Sequence, residues 1–245
     1  MLKFIKRLFL ALIIIIAIGV GAIFYLLKGS PTTNRSNYAC IGDIPAPWGY
    51  ERMDGEDPAF SAFLRALPLK PKGSRVMYYT GGEARLQSLA YAVVDLPLLS
   101  NDEQCADCCM RLRGEYLFQT GQYGRIRFTD VKGNTLYYGG GGSRMSFEQY
   151  MRRVYGVAST LSLKQSLPQR EVDDLQPGDV FVYAAGSTKM GVKTRMGHAV
   201  MVVDVAQNSK GEEGVPPRRR QHTGQGHPCA AQLHPSFPLT VVQSG

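Results

Sequence analysis

The sequence predicts an α+β domain behind one N-terminal transmembrane helix, with a central antiparallel sheet packed on a cysteine-bearing helix. Three stretches predict it. Residues 8–27 are twenty in a row without a charge. Residues 175–206 read as strand, loop, strand. Residues 103–118 carry apolar side chains at helical spacing and hold three of the five cysteines.

At about 1.5 Å of rise per residue, residues 8–27 cover a hydrocarbon core about 30 Å thick. Lys3, Lys6 and Arg7 precede the run, which puts the N-terminus in the cytoplasm. No small-x-small cleavage site follows at Tyr25-Leu26-Leu27-Lys28, so residues 1–28 read as a cytoplasmic stub and an uncleaved signal-anchor. The expected location is the bacterial inner membrane, crossed once, with the remaining chain facing the periplasm or the cell exterior. Residues 29–43 form a polar, Pro-containing linker.

The globular α+β domain is expected over residues 44–211. Trp48, the single tryptophan, reads as a packing anchor. Residues 57–67 place Phe60, Phe63, Leu64 and Leu67 at helical spacing, with Pro58 in the first turn and Pro68 as the stop. Residues 76–79 and 90–96 read as strands. Ser100-Asn101-Asp102-Glu103 starts the helix over 103–118, with Cys105, Cys109, Leu112 and Tyr116 on one face and Arg111, Arg113 and Glu115 on the wet side. Residues 125–128 and 135–138, around Lys132-Gly133-Asn134, form a hairpin. Ser146 and Gln149 have capping-box spacing at the head of a helix over 147–162, with Phe147, Tyr150, Met151, Val154, Tyr155 and Ala158 inward. Gln176-Pro177-Gly178-Asp179 is a turn, residues 180–183 a buried strand, and residues 199–205 a second one opened by Gly197-His198. From residue 212 to 245 hydrophobic periodicity disappears. That stretch reads as a disordered tail or as the product of an altered reading frame.

Composition narrows the function classes. The net charge is +8, but residues 1–28 hold +4 of it and the tail +1, which leaves a mildly basic domain. No basic stripe interleaved with aromatics is present, so nucleic acid is not an expected partner. The four glycines at 139–142 are not followed by the Lys-Ser/Thr of a phosphate loop. Cys105-x-x-Cys108 has no second half-site in the body, so no metal is expected, and no organic cofactor is implied.

The chemistry-bearing candidates are Cys105 and His198. A helix N-terminus favours a thiolate, and a histidine at the head of a strand is rigid while its ring still faces a cleft. A Cys nucleophile with a His base splits amide hydrolysis into two easier steps, and backbone N–H groups at the helix start, with Gln104, would hold the oxyanion. The same residues have a structural reading, a buried apolar thiol and a satisfied histidine.

The arrangement of a Cys starting a helix and a His starting the facing strand resembles papain-like and NlpC-type cysteine hydrolases. The phrases GDVFV (178–182) and GHAVMVVDVA (197–206) resemble their central strands, although the Asp-Cys-Ser/Gly pattern usual in NlpC-type enzymes is absent. With LPLKP (67–71), AVVDL (92–96), QCADCCMRLRGEYLF (104–118) and STLSL (159–163), the chain looks like the bacterial domain-of-unknown-function family 4846. Gln104, Cys105, Asp107, Arg111 and His198 are the positions matched to that pattern. The resemblance implies a papain-like layout and carries no assigned reaction. The expected function is a membrane-anchored cysteine hydrolase acting on peptide or amide bonds of the cell envelope, with Cys105, His198 and Gln104 as its site and cell-wall peptide as its partner. The alternative is a non-catalytic envelope-binding or structural domain on the same scaffold.

Overall fold

The computed structural model describes residues 2–29, 37–78, 81–84, 87, 90–189, 192–208 and 240–242. In chain order the helices are α1 (Leu2–Gly29), α2 (Pro58–Arg65), α3 (Cys105–Gln119), α4 (Arg144–Val157) and α5 (Thr160–Ser166). The strands are β1 (Tyr50–Met53), β2 (Arg127–Thr129), β3 (Thr135–Tyr137), β4 (Gln169–Arg170), β5 (Val180–Tyr183), β6 (Thr188–Lys189), β7 (Val192–Lys193), β8 (His198–Met201), β9 (Val205–Asn208) and β10 (Thr240–Val242). The fold is α+β, and the described strands form four small antiparallel sheets: β4-β10-β5-β8, β1-β9, β2-β3 and β6-β7.

Every side chain described between Phe9 and Ile23 of α1 is exposed, so this helix buries none of that apolar surface in the domain. Among the described residues no helix is long and apolar enough to cross a membrane. The span expected at residues 8–27 includes side chains outside the described ones.

Two helices begin as the sequence dictates. Asp57 caps α2 by accepting from Phe60 N at 3.0 Å, with Pro58 at the first helical position. Gln104 caps α3, and its backbone N–H donates to Asp107 Oδ2 at 2.9 Å. The helix expected over 147–162 is instead two. Ser143, not Ser146, caps α4, its Oγ accepting from Ser146 N at 3.3 Å. Ala158 is extended, and Ser159 then caps α5 through its Oγ and Leu161 N, 3.1 Å apart. A serine that bonds its own downstream backbone competes with helix continuation. The expected inward residues, from Phe147 to Ala158, are buried.

The apolar run over 199–205 also divides. β8 stops at Met201, because Asp204 leaves the sheet to accept from Arg52 Nε at 2.6 Å and Arg65 Nε at 2.8 Å. The chain resumes as β9, which pairs with β1 from Met53↔Val205 to Tyr50↔Asn208. The expected strands at 76–79 and 90–96 appear only as isolated bridges, Met77↔Glu83 and Leu69↔Val94. Fully buried Gln87 does the work of a ladder there. It donates to Val76 O at 2.9 Å and Ala84 O at 2.8 Å, and accepts from Val76 N at 2.8 Å. Of the tail, residues 240–242 form β10 between β4 and β5.

The core gathers around α3, whose residues from Ala106 to Leu117 are all buried. The wet side expected at Arg111, Arg113 and Glu115 does not exist: these residues are 3%, 7% and 4% exposed. Gly114 lets α4 approach, since a Cβ there would lie 3.3 Å from both Met151 Sδ and Phe147 Cζ. Trp48, expected as a packing anchor, is 99% exposed.

Candidate functional site

Cys105 is the first residue of α3 and His198 the first of β8, and α3 packs against β8. The register explains how they meet. Val202 exchanges backbone bonds with the β5 side, accepting from Gly178 N at 2.7 Å and donating to Asp179 O at 2.8 Å. Along an antiparallel strand the bonding direction alternates, so Val200 and His198 also bond toward β5, and the N–H groups of Ala199 and Met201 point outward. Among the described strands β8 is terminal in its sheet, so that outward row forms its edge. α3 closes it. The Cys105 sulfur accepts from Ala199 N–H, and the Cys109 sulfur from Met201 N–H. The spacing fits, because residues four apart on a helix rise about 6 Å and residues two apart on a strand about 6.7 Å.

His198 therefore stands one residue from the backbone N–H that holds the Cys105 sulfur. Its ring lies 6.2 Å, centroid to centroid, from that of Tyr183, its cross-strand partner. Gly197 is required just before it: a Cβ there would run into Thr160 Oγ1 and lie 2.9 Å from Tyr183 O. Gln104 is exposed at the mouth of the helix. The structure thus brings Cys105, His198 and Gln104 to one end of β8, and adds Tyr183, which only the strand register reveals.

The electrostatics run against a freely ionised thiol. Burial pushes the Cys105 thiol up and the Asp107 carboxylate adds to this, while the Ala199 and Ala106 N–H groups pull the other way. Burial outweighs the helix dipole here, opposite to what a helix N-terminus alone implies. The Tyr183 phenol is raised too, by burial first and then by Cys105. Asp107 is 4% exposed, and burial pushes its carboxyl up to about 7, aided by Glu103 and Asp102.

Cys108 is disulfide-bonded, whereas Cys105 is a free thiol, so these two sulfurs are not joined to each other. Asp204, engaged with Arg52 and Arg65, is committed to holding β9 and α2 together. Among the described residues no His, Cys, Asp and Glu cluster is arranged to hold a metal ion.

The opposite side of α3 carries a chain of buried charge. Arg111 Nη1 lies 3.2 and 3.1 Å from the two carboxylate oxygens of Glu103 and 2.6 Å from Pro97 O. Arg111 Nε reaches Glu115 Oε1 at 3.5 Å, and Arg144 grips Glu115 with two bonds of 2.5 and 2.7 Å. The Tyr155 hydroxyl, buried and without a hydrogen-bond partner among the described residues, is raised by burial and then by Glu103. Beside this chain a 660 Å³ cleft opens, lined by Phe63, Leu67, Leu96, Leu99, Leu112 and Arg144 among others. Cys105 and His198 are not part of its wall.

The family described as domain of unknown function (4846) matches residues 42–140 and 139–215. That is well over half of the chain, and the protein belongs to this family. No curated protein and no solved structure matches it.

Proposed function

We propose that the protein is a membrane-anchored cysteine hydrolase of the bacterial cell envelope, tethered by residues 8–27 and acting outside the cytoplasm on peptide or amide bonds. One observation carries this reading: the thiol at the start of α3 is hydrogen-bonded to the backbone N–H next to His198.

Cys105 rests as a thiol at neutral pH, so a base must act during attack. His198 takes the thiol proton as Sγ bonds to the carbonyl carbon. First-turn N–H groups of α3 and the exposed Gln104 side chain hold the oxyanion. The C–N bond then breaks, and the amine leaves with the proton from His198. Water, deprotonated by His198, opens the thioester to give the carboxylic acid and restores the thiol. The test is incubation of the full chain in detergent with cell-wall peptides, followed by mass spectrometry. Peptide cleavage and an acyl adduct on Cys105, both lost in Cys105→Ala, are expected; cleavage that persists in Cys105→Ala overturns the assignment.

A second reading has its own observation. Cys109 sits on β8 as Cys105 does, and burial pushes its thiol up as well. On that reading both sulfurs serve only to cap the sheet edge, in a non-catalytic envelope module. Cys105→Ser would then leave every phenotype intact, whereas Val203→Asp, a charge on a buried residue just past β8, would not.

A further inference from the structure

We propose that the turn carrying Trp48 seats in the headgroup region of the bilayer beside α1, a reading that rests on the membrane anchor proposed above. Trp48 is the single tryptophan of the chain and is 99% exposed. It is not exposed for want of structure. Tyr50 N donates to Pro47 O at 3.0 Å, and Gly49 has φ 82°, which makes residues 47–50 a tight turn with Trp48 at its tip. Arg52 donates to the Ile44 carbonyl and so ties the two ends of the loop, while its Nε holds Asp204 at 2.6 Å. An indole displayed on a braced turn is fixed in place with nothing among the described residues to cover it.

The chemistry of the loop fits a lipid interface. Residues 44–50, Ile-Pro-Ala-Pro-Trp-Gly-Tyr, carry no charge, and Pro45 and Pro47 are exposed with Trp48. Entry into the headgroup layer therefore strips no ion of its water. An indole has an apolar body and one N–H donor, the combination that concentrates tryptophan at membrane interfaces. The tether brings the loop within range. The domain begins at Cys40, which bridges to Pro68, and α1 ends at Gly29. The intervening chain reaches at most about 40 Å when fully extended, and the eight residues from Cys40 to Trp48 at most about 29 Å. A domain so tethered lies against the membrane surface, and the uncharged turn close to its tether is the part suited to touch it.

The experiment uses the full chain reconstituted in phosphatidylcholine–phosphatidylglycerol vesicles, with Trp48 as the only tryptophan emitter. The expected result is emission shifted to shorter wavelength than in detergent-free water-exposed indole, and quenched by lipids brominated near the headgroup. Pro47→Glu, which places a charge at the tip, should reverse both effects while the chain remains in the vesicle fraction. Vesicle-bound chain with unshifted, unquenched emission overturns the proposal but leaves the anchor standing, and leaves Trp48 to a protein partner. A chain that stays in the aqueous fraction overturns the proposal and the anchor together.

Discussion

The two long sides of α3 solve the same problem with opposite chemistry. Toward β8 the helix presents the neutral thiols of Cys105 and Cys109, which accept from the outward N–H groups of an edge strand. Toward α4 and the cleft it presents Arg111 and Glu115, buried within an alternating chain that runs from Glu103 to the exposed Arg144. The thiol side costs little to bury and leaves the Cys105 sulfur half-buried as a free thiol. The charged side is expensive to bury unless every ion has a partner. The difference teaches which side should tolerate change in stability and which in reactivity.

The charged side should break first and hardest. Arg111→Met leaves Glu103 and Glu115 buried without their shared cation, and should cost about 3–5 kcal/mol in urea unfolding. Next, Gly197→Ala should cost about 1–3 kcal/mol, because the added methyl meets Thr160 and the Tyr183 carbonyl at the head of β8. Unlike Arg111→Met, it should also change the alkylation rate of Cys105 in protein that remains folded.

Asp107 joins the two sides, since Glu103 helps to raise its carboxyl and its own charge helps to raise the Cys105 thiol. Its folded carboxyl titrates near 7 against an ordinary value of 3.8. The folded state thus keeps a proton that the unfolded chain has released. This contribution to stability is complete below about pH 4 and declines as pH rises, on the order of 1.4 kcal/mol per unit, until the folded carboxyl has ionised. Unfolding titrations of Asp107→Asn should lack that slope, because Asn keeps an acceptor for Gln104 N–H and cannot ionise. Smallest of all, Cys109→Ala should cost roughly 1 kcal/mol, the loss of one buried acceptor at the strand edge.

Periodicity made α2, the course of α3, the β2-β3 hairpin and β5 legible from residue order, because their signals are local. The positions of Cys105 and His198 at the starts of their elements were legible for the same reason. Arg111, Arg113 and Glu115 were misread as solvent-facing because their partners are remote: Arg113 pairs with Asp57, and Glu115 with Arg144. A charge on a helix looks wet until its distant counter-ion is known. Trp48 was misread from the opposite prejudice, that a large aromatic belongs inside. The break of the 199–205 run was hidden too, since Asp204 turns outward only because Arg52 and Arg65 await it. Tyr183 carried no signal until the register set it beside His198.

The central claim, that Cys105 and His198 act together at the head of β8, is tested most directly by the pH profile of iodoacetamide alkylation at Cys105, followed by peptide mass mapping in wild type and His198→Ala. The wild-type rate should begin to rise once the imidazole is neutral and able to take the proton, and only the later rise of a buried thiol should remain in His198→Ala. Two superimposable profiles, each showing only that later rise, would contradict the dyad.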